Sequence, residues 1–380
     1  MGRGDIFSES LAFHKKHRGK LETKSKVSLK NKRDLSLSYT PGVGAVSSAI
    51  GKNRKLAREY TLKRNTVAIV SDGSAILGLG NLGAEAAIPV MEGKAVLFKE
   101  FAGVDAFPIC LVTQDTEKII EAVKNIAPVF GGINLEDISA PRCFEIEERL
   151  KKELQIPVLH DDQHGTATVV LAALINSLKL RGLKKEKAKL VINGAGAAGN
   201  AVSQLLLKFG FKNIILVDSH GAIYDGRKNL DKFKKFLAKR TNKAKINGDL
   251  ARCLEGSDIF IGVSRAGLLK PEMIKAMNPK PIIFALANPV PEIMPDLAKK
   301  AGAYIVATGR SDFPNQLNNV LAFPGIFRGA LDHGVRRITD EMLVKAARNL
   351  AATVKNPNPE KILPDVFDKK VAKTVALAIQ

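Results

Sequence analysis

Two adjacent acids and two imidazoles crowd one stretch of the chain, Leu159-His160-Asp161-Asp162-Gln163-His164-Gly165-Thr166-Ala167. The apolar run Ile156-Pro157-Val158-Leu159 before it reads as a buried strand, and residues 167–180 after it read as a largely buried helix. Such a strand-to-helix turn is where α/β enzymes commonly carry their chemistry. Asp162 has two open readings here: a helix cap, a role Asp often takes, or a metal ligand. A second acidic pair, Glu136-Asp137, follows the strand-like run Gly131-Gly132-Ile133-Asn134-Leu135. Carboxylates at strand ends suit a hard divalent cation, which prefers oxygen ligands and keeps positions open for water or substrate. Glu136, Asp137 and Asp162 would supply three carboxylates from two loops, pointing to Mg²⁺ or Mn²⁺. His160 and His164 raise zinc as an alternative, but a carboxylate-dominated set favours the harder ion. The histidines are read as hydrogen-bonding supports.

A second chemical signature follows. Lys189-Leu190-Val191-Ile192 is predicted as a strand, and it runs into Asn193-Gly194-Ala195-Gly196-Ala197-Ala198-Gly199-Asn200, then a helix and a strand ending at Asp218. This is the dinucleotide-binding fingerprint in full. Gly194 makes the turn, Gly196 admits the pyrophosphate, and Gly199 lets helix and strand pack closely. Ala195, Ala197 and Ala198 line the same loop, and the helix N-terminus holds the phosphates. Asp218 lies 19 residues after Gly199, in place to bind ribose hydroxyls. A carboxylate there repels a 2′-phosphate, so the cofactor reading leans to NAD over NADP. Further along, the strand Pro281 to Leu286 ends at Ala287-Asn288-Pro289, and Tyr304 to Ala307 leads to Asn318-Asn319. Asn288, Asn318 and Asn319 are candidates for carboxylate and nicotinamide contacts, with a turn-forming role as the alternative.

The elements that must position these groups read as follows. Residues 5–34 look like one or two polar helices that pack on a partner subunit. A Pro-Gly turn, Ser38 to Gly44, carries Tyr39, and residues 45–60 resume as a helix. Val67-Ala68-Ile69-Val70 is a predicted strand. Gly78, Gly80 and Gly83 have GxGxxG spacing, but no ribose-binding acid follows, so this is read as a loop that another group approaches closely. Ala95-Val96-Leu97-Phe98 is read as a strand, with Lys94 at its entrance facing either a cleft or solvent. The fold class is α/β: an N-terminal substrate- and metal-binding domain (1–160), a Rossmann doubly wound parallel sheet (161–325), and C-terminal helices (326–380) that pack back on the first domain.

Composition bounds the function classes. The chain has 380 residues, 45% of them hydrophobic, enough for two or three domains. No run reaches the roughly 18 uncharged apolar residues needed to span a membrane, and no signal-peptide core precedes the first charged segments. The three cysteines, Cys110, Cys143 and Cys253, are too scattered for a disulfide framework. The cytoplasm is the expected location. A formal net charge of +21 raises nucleic-acid binding, yet the Lys and Arg are dispersed and aromatics make up only 6% with no Trp. A basic surface that draws in anionic substrate and cofactor fits better.

Taken in order, these motifs resemble the malic enzyme family in its short prokaryotic form. The resemblance spans residues 36–331. It rests on Tyr39-Thr40-Pro41-Gly42-Val43-Gly44, Ser71-Asp72-Gly73 with Ile76-Leu77-Gly78-Leu79-Gly80, Gly93-Lys94, Asn134-Leu135-Glu136-Asp137, His160 to Ala167, the dinucleotide loop, Ala287-Asn288-Pro289 and Asn318-Asn319. It implies oxidative decarboxylation of (S)-malate to pyruvate and CO₂ with NAD(P)⁺ and Mg²⁺ or Mn²⁺, in a homodimer. It implies Glu136, Asp137 and Asp162 as metal ligands, Lys94 as general base and Tyr39 as proton donor. Asn288 and Asn319 would contact malate or nicotinamide. One departure stands out. Larger relatives carry a substrate-binding arginine between Gly73 and Ile76, where this chain has Ser74-Ala75. No phosphotransacetylase-like extension is expected beyond residue 380. The alternative reading is a two-domain dehydrogenase of the amino-acid or shikimate type, which needs no carboxylate-bound metal.

Overall fold

Alternating short apolar runs and amphipathic segments dictate parallel sheets flanked by helices. The computed structural model describes residues 3–380. In chain order, α1 (Arg3–His17), α2 (Lys32–Ser38), α3 (Val43–Lys52) and α4 (Leu56–Tyr60) form an N-terminal arm. A first α/β unit follows: β1 (Thr66–Ser71), α5 (Ala84–Ala102), β2 (Asp105–Cys110), α6 (Thr116–Ile126), β3 (Gly132–Leu135), α7 (Arg142–Glu153) and β4 (Val158–His160). Its four strands are all parallel, in the order β2-β1-β3-β4.

Helix α8 (Asp161–Arg181) then carries the chain to a second unit. That unit holds β5 (Lys189–Asn193), α9 (Ala197–Phe209), β6 (Asn213–Asp218), β7 (Gly221–Ala222), α10 (Lys232–Ala238) and α11 (Leu250–Leu254). It continues through β8 (Ile259–Gly262), α12 (Pro271–Lys275), β9 (Ile282–Ala285), α13 (Pro295–Lys300) and β10 (Ile305–Thr308). The sheet order is β10-β9-β8-β5-β6-β7, parallel except for the β6–β7 hairpin. Strand order reverses between β5 and β8, so a ligand crevice lies outside their carboxyl ends. Helices α14 (Phe323–His333), α15 (Asp340–Ala352) and α16 (Lys370–Ala376) close the chain.

The core runs through both units. Helix α8 is apolar on all sides, with 169–174 fully buried, because it is packed between the two units rather than on a surface. One hydrophobic cluster joins Val67 and Phe98 of the first unit, Leu171 of α8, Ile192 and Phe284 of the second, and Phe327 and Val375 of the closing helices. Phe98 packs edge-on against Phe323 and Phe327, with ring centroids 4.7 and 5.4 Å apart. Helix α14 therefore docks on α5 of the first unit, whereas α15 packs against α8 and α9.

Three expectations need correction. Residues 95–98 are not a strand; they lie inside α5, and so does Lys94. The buried residues Ala84, Ala87, Met91, Ala95 and Phe98 recur every three to four positions, which is a helical period. The short apolar run alone could not distinguish the two. The helix predicted over 45–60 is broken into α3 and α4 at 53–55. Residues 18–31, between α1 and α2, form no regular helix.

Candidate functional site

Strand β3 ends in the buried carboxylates Glu136 and Asp137, and β4 ends where α8 begins with Asp161 and Asp162. The β3–β4 pairing in register, Leu135 beside His160, brings the two acidic pairs together. His160 is the residue before the helix and makes no side-chain cap. Asp162 is not the cap either: its Oδ2 accepts a hydrogen bond from the Asp137 backbone N–H across the two loops, at 3.0 Å.

Lys94 enters from α5. Its Nζ lies 2.6 Å from Asp161 Oδ2 and 2.8 Å from Glu136 Oε1, and 4.3 Å from the centroid of the Phe323 ring. The lysine reaches the site because it sits one helical turn above Phe98 on the face of α5 that meets the sheet. Burial disfavours its charge, but the Asp161 and Glu136 carboxylates overcome that and hold the ammonium well above the ordinary lysine range. Asp161 is Lys94's direct ion-pair partner. Asn319 donates to Asp161 Oδ2 at 3.2 Å and accepts from the Thr166 hydroxyl at 3.1 Å. Glu136 Oε2 accepts from the Asn134 amide at 2.8 Å.

The donor set fits a hard cation in its chemistry. Asp137 sits in the left-handed region at φ 52°, held by Ala75 N–H on its carbonyl and Leu77 N–H on Oδ1. Its Oδ2 is buried with no donor facing it, and so is Asp161 Oδ1. Burial, then the neighbouring Asp162 carboxylate, push Asp137 up to about 7. Burial likewise raises Glu136, against the pull of Lys94. Crowded carboxylates with an orphan oxygen are the arrangement a divalent ion relieves. Among the described residues, however, no three His, Cys, Asp or Glu side chains already converge as a cage, because Glu136 is turned to Lys94 and Asp162 to the 137 backbone.

Beneath this turn lies a residue the sequence did not single out. Glu147 of α7 is buried and collects His160 N–H at 2.8 Å, His164 Nε2 at 2.9 Å, Lys151 Nζ at 2.8 Å and Gln163 Nε2 at 3.4 Å. Burial alone would raise its carboxyl, but His164 and Lys151 hold it well below the ordinary range. In the charged run Glu145 to Glu153 it reads as one more solvated acid; only packing shows it inside. His164 is thereby accounted for as a support, whereas both ring nitrogens of buried His160 lack a hydrogen-bond partner, Nδ1 lying 3.8 Å from Asp162 Oδ2.

The dinucleotide loop has the anticipated geometry. Gly194 sits at φ +121°, and a Cβ there would fall 2.6 Å from Val263 O at the end of β8. Gly196 precedes α9 with no side chain over the helix N-terminus, leaving backbone N–H groups to face an anion. Asp218 ends β6 as expected, but it is not a lone acid. Its Oδ1 accepts His220 N–H at 2.9 Å, while Oδ2 takes Arg227 at 2.6 Å and Lys234 at 2.9 Å. These cations outweigh burial and hold the carboxyl well below its usual range.

Gly78 of the glycine-dense loop approaches Asn288: a Cβ on Gly78 would lie 2.8 Å from the Asn288 carbonyl. The close approach expected of that loop is thus to the second unit. The Asn288 amide lies against Gly309, the residue after β10. Asn318 uses its side-chain oxygen to cap the short turn at 319–321, accepting Val320 N–H at 3.0 Å. Ser74 hydrogen-bonds Asp72 and receives Ser139 N–H. The nearby Arg142 is committed to Asp72, Ser139 and the Gln114 carbonyl, so it does not replace the missing arginine.

Tyr39 is not brought to this cluster. It follows α2 and is 65% exposed, and among the described residues its side chain makes no hydrogen bond or ring contact. No residue of α2, α3 or α4 is buried.

Two family models match the chain: the malic enzyme N-terminal domain over residues 18–151 and the malic enzyme NAD binding domain over residues 163–380. The bifunctional malic/malolactic enzyme of Bacillus subtilis is 56% identical, over 98% of this chain and 91% of that protein. The NAD-dependent malic enzyme of Geobacillus stearothermophilus is 56% identical, over 95% of this chain and 76% of that protein. The crystal structure of an NAD-dependent malic enzyme from Thermotoga maritima superposes with a TM-score of 0.95 at 52% identity, covering 97% of this chain and 98% of that one.

Proposed function

The chain belongs to the malic enzyme family, and from that premise we propose that it oxidatively decarboxylates (S)-malate to pyruvate and CO₂ while reducing NAD⁺ or NADP⁺. The observation that carries the reading is that Lys94, Glu136 and Asp161 meet in one cluster, while the neighbouring loop at 77–78 touches both Asp137 and the Asn288 loop of the dinucleotide-binding unit. The family assignment sets aside the amino-acid and shikimate-type alternatives.

Glu136, Asp137 and Asp162 are the proposed holders of Mg²⁺ or Mn²⁺, which when bound polarises the malate C2 hydroxyl and stabilises enolate charge. Lys94 is the proposed general base for that hydroxyl. A base must first be neutral, and Asp161, 2.6 Å away, is the acceptor within reach of the ammonium proton. Asn319 holds Asp161 in line and, with Asn288, presents amides to the malate carboxylates and the nicotinamide. Asn318 keeps one amide nitrogen for the same purpose while its oxygen serves the turn. With no arginine in the Gly73–Ile76 loop, these amides carry more of the carboxylate recognition. A bound nicotinamide cofactor would accept the C2 hydride; of this chain's own groups, Lys94 takes the hydroxyl proton and, once CO₂ has left the resulting β-keto acid, Tyr39 protonates C3 of the enolate.

Tyr39 needs a second chain to do this. The arm exposes Val27, Leu29, Leu35, Leu37 and Tyr39, a run of apolar side chains that marks an interaction surface. A homodimer that covers the arm is the proposed assembly, with Tyr39 delivered to the partner's cleft.

Asp218 was read as favouring NAD. With Arg227 and Lys234 on its outer oxygen, the ribose end carries two cations against one acid, so a 2′-phosphate is not repelled. NAD remains the first expectation and NADP an accepted second. The division into 1–160, 161–325 and 326–380 is kept as a proposal, supported by the break between the two sheets and the docking of α14 on α5. Two of the three free cysteines are buried, in keeping with a reducing compartment, and the cytoplasm is the proposed location. Among the described residues no helix is long and apolar enough to cross a membrane.

The test is direct: malate, Mn²⁺ and each cofactor in turn, following reduced nicotinamide and pyruvate together. Pyruvate formed in step with reduced cofactor, abolished by EDTA and restored by Mn²⁺, is the expected result. Reduction without pyruvate, or activity indifferent to EDTA, would overturn it.

A further inference from the structure

Glu292 is fully buried in the second unit, yet among the described residues no lysine, arginine or histidine pairs with it. Its carboxylate is satisfied by backbone alone. Oε1 accepts Ser264 N–H at 3.1 Å and Oε2 accepts Ala287 N–H at 3.0 Å. Those two amides belong to different loops: Ser264 follows β8, and Ala287 follows β9 directly before Asn288. The backbone on either side of Glu292 repeats the connection, since Leu269 N–H bonds to the Glu292 carbonyl and Gly267 N–H to the Pro291 carbonyl.

The strand beneath has made room for this side chain. A Cβ on Gly262, the last residue of β8, would fall inside contact distance of the Glu292 carboxylate. The absence of a side chain at 262 is therefore required by the carboxylate and not by the backbone conformation. Burying a carboxylate without a counter-ion is costly, and burial raises Glu292 against the two N–H bonds that favour its charge. A hydrophobic residue would fill the space at lower cost, so the acid is explained by what it holds. The β8 loop it grips also abuts the dinucleotide turn, through Val263 against Gly194. The β9 loop it grips carries Asn288 and, through it, the contact with Gly78 of the first unit.

We propose that Glu292 is a positioning residue for hydride transfer, tying the loops after β8 and β9 into one rigid floor that fixes the Asn288 amide against the nicotinamide end of the cofactor. It does not touch substrate or the metal-binding carboxylates. It rests on the dinucleotide-dependent activity proposed above. The adenosine end is held elsewhere, at Gly196 and Asp218, so loss of Glu292 loosens the reacting end more than it weakens cofactor binding. Misplacing a reacting group by about 1 Å costs on the order of a hundredfold in rate.

The experiment uses Glu292→Gln in the whole protein. The amide keeps the shape and one acceptor but sets an NH₂ against the second backbone N–H. The wild-type rate with malate tests the activity itself, and the ratios of variant to wild type test Glu292. Malate oxidation is expected to fall at least about tenfold, with a larger primary isotope effect from malate deuterated at C2. The Kd for reduced cofactor and the decarboxylation of added oxaloacetate, which needs no hydride, should stay within about threefold. A parallel fall of oxidation and oxaloacetate decarboxylation, an unchanged isotope effect, or wild-type kinetics overturns the proposal. Should the Gln variant not fold, Glu292→Asp, too short to reach both N–H groups, is read by the same ratios.

Discussion

Lys94 shows how a residue's chemistry is set by its neighbours. Its ammonium is gripped by Glu136 and Asp161, so its basicity depends on what those carboxylates do next. Lys94→Ala should lower kcat for malate oxidation by about 10²–10⁴-fold, the range for a lost general base, with little change in cofactor Kd. Near-normal turnover would remove it from that role. Asp218 teaches the same lesson at the other end of the cofactor. Replacing Arg227 and Lys234 together by Ala should reduce kcat/KM for NADP⁺ by about tenfold or more relative to NAD⁺, because each cation sits within hydrogen-bond reach of the acid at the ribose end. An unchanged ratio would show that neither residue meets the 2′-phosphate.

Helices α7 and α8 form the element on which the acidic turn depends. Glu147 grips the first residues of α8 from below, and its carboxyl is held well below its ordinary value by His164 and Lys151 against burial. A carboxyl depressed in the folded state contributes stability that is fully present above its unfolded pKa of about 4.3 and is lost as pH falls through the folded value. The melting temperature of the native protein should thus fall more steeply between about pH 5 and pH 3 than that of Glu147→Gln. Parallel curves would mean that the pair contributes nothing. Glu147→Ala leaves Lys151 and His164 without their buried partner and should cost about 3–5 kcal/mol. Because the same carboxylate holds His160 N–H, both variants should also bind Mn²⁺ more weakly, measured by calorimetry.

The whole molecule must account for Tyr39, which stands on an arm with no buried residue in α2, α3 or α4. If that arm completes a partner's cleft, two inactive variants should rescue each other. Mixing Tyr39→Phe with Lys94→Ala, after dissociation and reassociation, should restore up to about a quarter of native activity, since half the dimers are hybrids with one intact cleft. No recovery, or a monomer by light scattering, would place Tyr39 in its own subunit's site or outside catalysis. The rest of the arm is tethered to its own chain, with Lys20 bonded to the Pro89 carbonyl and, just past α4, Lys63 bonded to the carbonyls of Ala127 and Phe130 after α6.

The sequence by itself located most of the strands and the glycine loop at 194–199, and it set the acids at 136, 137 and 162 just beyond strand ends, because these depend on local period and spacing. Short apolar runs pack as strands, and a fingerprint of glycines follows from what a tight turn and a phosphate require. It misplaced Lys94 because four apolar residues are compatible with either period, and only the packing of α5 on the sheet decided between them. It ranked Asp161 below Asp162 and passed over Glu147, Arg227, Lys234 and Glu292. Each of these acts on groups far away in sequence, and a charged residue reads as solvated until the fold encloses it. Tertiary structure alone decided which carboxylate faces Lys94, which cations shield Asp218, and that Tyr39 is left outside, since those facts arise from how separate elements meet.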